Sequence, residues 1–140
     1  MRPAPPTGPL LLALDTATST QSLALLRGPD LLFECTLEAR SGHGPDQLAM
    51  IQWLLTRAGV TLHDLSGLAI GLGPGSFTGL RVGLALMKGL SFAYQKPLIG
   101  IPSLTAAALQ VALTSPPNTL ICPCIDARKS EVYAALYTCG

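Results

Sequence analysis

The chain has 140 residues, of which 49% are hydrophobic and 12% charged, with a formal net charge of +1; it is long enough for one globular core and too apolar to remain disordered. Its Lys and Arg residues are dispersed, which excludes the concentrated basic face of a direct nucleic-acid binder. No segment reaches the roughly 18 uninterrupted apolar residues of a membrane span, and the apolar run at 10–14 is too short for a secretory core, so a soluble cytoplasmic protein without membrane contact is expected.

Residues 1–9 are proline-rich and read as a flexible tail. Strands are predicted at 10–14 and 21–26, joined by a turn of Asp, Thr and Ser, and a third at 31–37 after "RGPD". Pro45 suits the first position of a helix over 45–58, in which Leu48, Ile51, Leu55 and Ala58 recur at helical spacing before Gly59. A short strand at 68–71 leads into "GLGPGSFTGL" and a second helix, which runs from Phe77 or Thr78 to Tyr94 and is stopped by Lys96-Pro97. A strand at 98–101, a helix over 104–113 capped by Ser103, a "TSPPN" linker, and a hairpin of 120–125 with 131–137 around "DARKS" complete the chain. The order β-β-β-α-β-α-β-α predicts an α/β lobe over 10–114 with a mixed sheet, antiparallel at first and parallel in the middle. Residues 115–140 are expected to be a linker and the first hairpin of a truncated second lobe, and no internal repeat is visible.

The glycine-rich loop matches no phosphate motif: G-x-G-x-x-G would need glycine at Ser76 or Thr78, and a Walker loop would need lysine after Gly79, where the chain has Leu80. Nor is Ser76 a hydrolase elbow, because G-x-S-x-G would need glycine at Pro74. Two readings stay open: a tight turn made by Gly73 and Gly75 with Ser76 capping the helix, or an anion site on the N–H groups near Thr78. Asp15 ends the first strand in a hydroxyl-rich turn, where it could orient a metal-bound phosphate or close an Asx turn. His43 and His63 have no partner at ligand spacing, and Cys122 and Cys124 are expected to be half-buried strand thiols, so no metal or cofactor is expected. Both long helices carry more apolar residues than one buried stripe needs: Leu48, Met50, Ile51, Trp53 and Leu54 on the first, and Gly83, Leu86, Met87, Leu90 and Tyr94 on the second. These residues are the candidate partner interface.

"LALDTATSTQSLALL", "GLGPGSFTGLRVGLALMKGLSFA", "PLIGIPSLTAAA" and "CIDARKSEVYAALY" together resemble the bacterial TsaB (YeaZ) family. The resemblance implies an actin-like ATPase fold and a part in making threonylcarbamoyladenosine, the modified base beside the anticodon of tRNAs that read codons beginning with A. It also implies a noncatalytic subunit that binds the transferase TsaD through its N-terminal helices, is joined by TsaE, and meets tRNA only within that complex. TsaD-like chains carry an H-x-x-x-H metal motif where this chain reads "PSLTAAA", so transfer chemistry is not expected here. The alternatives are a nucleotide hydrolase or peptidase active on its own, and a homodimer formed through the same helices.

Overall fold

The structure, a computed structural model, describes residues 7–38 and 47–140. Alternating leucines organise its first strands. In β1 (Leu10–Asp15), Leu10, Leu12 and Leu14 point to one side and are buried, and in β2 (Thr20–Arg27), Leu23 and Leu25 join them across an antiparallel register of Leu12 with Leu25 and Leu14 with Leu23. The meander continues into β3 (Asp30–Glu38), with a bulge between Leu25 and Leu26 of its neighbour.

Helix α1 (Gln47–Ala58) follows, and the predicted start at Pro45 lies outside the described residues, as does His43. After a 3-10 turn (Leu62–Asp64), β4 (Gly67–Gly71) pairs parallel with β1, α2 (Phe77–Tyr94) crosses over, and β5 (Leu98–Ile101) pairs parallel with β4. The five strands lie in the order β3-β2-β1-β4-β5, the mixed sheet expected from the element order. One face of this sheet and the inner sides of α1 and α2 form the core, with Ile51, Leu54 and Met87 fully buried against Leu12, Leu25 and Ile70. The other face carries small residues, and α3 (Ser103–Ala112) borders it at a groove lined by Ala13, Ala24, Ala69, Ile101 and Ala106.

The last region departs from the single predicted hairpin. It forms two nested ladders, β7 (Cys124–Arg128) with β8 (Glu131–Ala134) inside and β6 (Leu120–Ile121) with β9 (Tyr137–Thr138) outside. The break falls at Cys122-Pro123, where proline has no N–H to donate to a ladder. The outer ladder is tied to α3: the Thr105 and Tyr137 hydroxyls lie 2.9 Å apart, and the Cys139 thiol donates to the Ala112 carbonyl at 3.5 Å. Among the described residues, no helix is long and apolar enough to cross a membrane.

Candidate functional site

Gly71, Gly75, Gly79 and Gly83 recur every four residues, and all four face the turn between β1 and β2. A side chain at Gly75 would run into the Ala17 carbonyl, one at Gly79 into the Thr16 carbonyl, and one at Gly83 into the Thr16 hydroxyl. At Gly71 it would meet the Asp15 carboxylate. The freedom from side chains therefore serves close approach of two backbones within the lobe. Hydrogen bonds lock that approach: the Ser76 N–H donates to the Ala17 carbonyl at 2.6 Å, and the Thr16 hydroxyl donates to the Gly79 carbonyl at 2.9 Å. Ser76 caps α2, its Oγ accepting from the Gly79 N–H at 3.2 Å. Gly73 adopts φ +81°, a left-handed value suited to glycine.

Asp15 is the hub of this joint. Its Oδ1 accepts from the Ala17 N–H and its Oδ2 from the Ser103 hydroxyl, each at 2.7 Å, which is the Asx-turn alternative with an added tertiary bond. Ser103 was expected to cap α3. It is instead the first helical residue after Pro102, buried, and it exchanges bonds with Gly73: the Gly73 N–H donates to Ser103 Oγ at 3.2 Å, and the Ser103 N–H donates to the Gly73 carbonyl at 2.9 Å. Sequence reasoning missed this role because 88 residues separate the two side chains and no local pattern links them.

Beside the joint lies a cleft of about 610 Å³ between the β1–β2 turn, the start of α2 and the β7–β8 hairpin. Hydroxyls of Thr18, Ser19, Ser76 and Thr78 line it, and its charged groups are Asp126 and Arg128. Asp15 is turned away from it into the joint. The cleft can receive a polar molecule, yet Ser76 is engaged as a cap and no histidine or lysine lines the walls to take up its proton. Among the described residues, no three His, Cys, Asp or Glu side chains come together as a metal site requires. His63 is a turn residue, its ring edge-on to Tyr94 at 4.9 Å between centroids and its carbonyl accepting from Lys96 Nζ at 2.7 Å.

The helices correct the interface expectation in detail. Met50, Ile51, Leu54 and Leu55 form one broad inward stripe on α1, and Gly83, Met87 and Leu90 do the same on α2, with Leu86 and Tyr94 packed at its margin. A helix laid on a sheet buries three to four residues per two turns, so what looked like excess apolar surface is largely the lobe's own core. Leu48 and Trp53 do face outward, Trp53 with 52% of its surface exposed and Arg57 stacked over its ring at 5.6 Å. The outward face of α2 is a different set: Thr78, Val82, Ala85, Gly89 and Phe92, all exposed, at the four-three spacing of an interhelical seam. Gly89 has no atom within 4 Å of where a side chain would begin, and Phe92 is 89% exposed. Near the helix start, Arg81 stacks over Phe77 at 5.2 Å, beside a hollow lined by Thr78, Arg81, Val82 and Ala85. Only geometry separates the inward glycines of α2, Gly79 and Gly83, from the outward Gly89.

A family model described as "TsaD: tRNA N6-adenosine threonylcarbamoyltransferase" matches residues 38–140. The Escherichia coli (strain K12) protein named tRNA threonylcarbamoyladenosine biosynthesis protein TsaB is 40% identical over 127 residues, covering 91% of this chain and 54% of its own length. The Haemophilus influenzae protein of the same name is 42% identical over 123 residues, covering 88% of this chain and 51% of its own. Among solved structures, YeaZ from Pseudomonas aeruginosa superimposes with a TM-score of 0.82 at 35% identity, over 93% of this chain and 60% of that one. The chain thus spans about half the length of the curated relatives it matches. With this identity over most of its length and the same actin-like lobe, the chain belongs to the TsaB/YeaZ family of tRNA threonylcarbamoyladenosine biosynthesis proteins.

Proposed function

We propose that the chain is a noncatalytic scaffold for threonylcarbamoyl transfer, acting by binding TsaD through the outer faces of α1 and α2, with TsaE joining the assembled complex and tRNA reached only through it. The observation that carries this reading is the outward seam of α2, where Val82, Ala85, Gly89 and Phe92 leave a helix-wide apolar and small-residue track exposed. Soluble proteins seldom leave such a track without a partner, and the absence of side-chain bulk at Gly89 suits the close approach of another helix. The noncatalytic part rests on chemistry. Where TsaD-like chains carry their metal-binding histidines, this chain has Ser103, Leu104, Thr105 and three alanines, and the Ser103 hydroxyl is committed to Asp15.

The test is titration calorimetry of the chain with its cognate TsaD, supported by light scattering of the mixture. Binding is expected at micromolar concentration or tighter, and Val82→Glu or Trp53→Glu should weaken it by about a hundredfold or more, because an uncompensated desolvated charge costs on the order of 3 kcal/mol. Both residues are exposed, so the fold should persist, whereas Leu90→Glu would damage the core and test nothing about the partner. Absence of binding, or self-association of the chain in its place, would sink the reading; undiminished binding by both variants would move the contact to another face. Reconstituted tRNA modification followed by nucleoside analysis supplies the functional readout, and equal yields without the chain would remove the proposed role.

A further inference from the structure

The charged residues of α2 are Arg81 and Lys88, and its 18 residues include no Asp or Glu. The two cations stand seven residues apart, about two helical turns, so they share one side of the helix, and both are exposed. With Val82 and Gly89 at the first seam position of a seven-residue repeat, and Ala85 and Phe92 at the second, Arg81 and Lys88 fall at the position just before each repeat begins. In paired helices that flanking position holds the interhelical salt bridges that set partner choice. The residues three and four away from each cation are Phe77, Thr78, Leu84, Ala85, Ser91 and Phe92, so no carboxylate of the same helix neutralises either. The Arg81 guanidinium is steadied over the Phe77 ring, 5.2 Å from its centroid, at the rim of a hollow of about 330 Å³ that Thr78, Val82 and Ala85 complete. A stacked guanidinium keeps its N–H edge for a planar acceptor such as a carboxylate.

We propose that the partner helix seated on α2 carries two carboxylates seven residues apart, which pair with Arg81 and Lys88 beside the apolar seam, and that this charge match favours TsaD over a second copy of the chain. The inference rests on the reading that α2 meets TsaD. Neither α1 nor α2, over the described residues, contains Asp or Glu, so the same helices of a second copy would bring cations to cations. The pairs lie at the rim of the contact, where each adds about fivefold or less to affinity. Their larger effect is on encounter: complementary rim charges speed association and make it sensitive to salt.

The test is association of the 140-residue chain with its cognate TsaD, followed by surface plasmon resonance at about 50 and about 500 mM salt. Tethering through Cys122 and Cys124, which are exposed, not half-buried as the sequence suggested, and lie outside both helices, leaves α2 free. The association rate of the unaltered chain is expected to fall about tenfold or more as salt rises, because screening removes electrostatic steering. Arg81→Gln with Lys88→Gln should associate about tenfold more slowly at low salt and lose most of the salt dependence, while its dissociation rate changes far less. Arg27→Gln with Lys129→Gln removes the same charge outside both helices and should keep the salt dependence; thermal unfolding checks that each variant is folded. The inference is overturned if TsaD binds at a rate indifferent to salt, if the Arg81 and Lys88 variant keeps the salt dependence, or if the other pair loses as much. In those cases the scaffold reading stands without the charge match. Absence of TsaD binding, or a chain that dimerises more tightly than it binds TsaD, would remove both.

Discussion

Asp15 and Asp126 close two hairpin turns with the same bond: the Ala17 N–H donates to Asp15 Oδ1, and the Arg128 N–H donates to Asp126 Oδ1, each at 2.7 Å. Their surroundings differ in every other respect. Asp15 has Ser103 on its second oxygen and glycines pressed against its turn, while Asp126 is exposed and leads into Arg128, Lys129 and Ser130, all with left-handed φ. A carboxylate two residues before an N–H shapes a turn locally, but only tertiary contact makes that turn a fixed joint. The first turn anchors α2 to the sheet; the second is a free wall of the cleft.

The largest break in this contrast should come from the glycines. Gly79→Val would push a branched side chain into the Thr16 carbonyl and should destabilise the lobe by about 3 kcal/mol or more, read as a lowered urea midpoint. Gly89→Ala, in the same helix but with open space around it, should be neutral or stabilising by up to about 1 kcal/mol. A Gly79→Val variant tolerated as well as Gly89→Ala would mean that helix propensity, and not close approach, governs this helix.

The carboxylates themselves should separate next. Asp15→Ala leaves the Ser103 hydroxyl and the buried Ala17 N–H without their acceptor, at a cost of about 2–3 kcal/mol. Asp126→Ala, at an exposed position, should change stability by less than about 0.5 kcal/mol. Equal effects in chemical denaturation would show that the local bond is the whole of the matter.

The smallest effect concerns Asp64, whose Oδ2 accepts from the Thr61 N–H at 2.7 Å and from its hydroxyl at 2.8 Å. The backbone bond first, and then the hydroxyl, hold this exposed carboxyl below its ordinary value. A depressed carboxylate lends stability that is fully present above its unfolded value and is lost as pH falls through its folded value. Asp64→Asn should therefore lower stability slightly at neutral pH, leave it nearly unchanged at pH below the carboxyl's folded value, and so flatten the acid limb of the stability profile. A steeper acid limb in the variant would contradict that sign.

The sheet was legible in the sequence because its signals are local: leucines alternating from Leu10 to Leu14, a helical repeat through Ile51 and Leu55, and punctuation by Gly59 and Pro97. The turn reading of the glycine loop was legible for the same reason. What stayed hidden depends on the third dimension. Ser103 looked like a cap, since its neighbours in sequence allow one and its real acceptor lies on β1. The apolar residues of α1 and α2 stood out in the sequence, but one-dimensional spacing did not separate Met87 and Leu90, which face the sheet, from Val82 and Phe92, which face outward. The nested ladders were missed because a proline inside an apolar run weakens pairing without abolishing it.

The sheet's outer strand β3 has one more consequence, for how copies of the protein meet in a crowded solution. Leu31, Phe33 and Leu37 are exposed along an edge that could template pairing with an identical strand. The charged residues of that strand are Asp30, Glu34 and Glu38, all acidic. Two such edges brought side by side would set carboxylates against carboxylates, so like-charge repulsion discourages sheet-to-sheet growth.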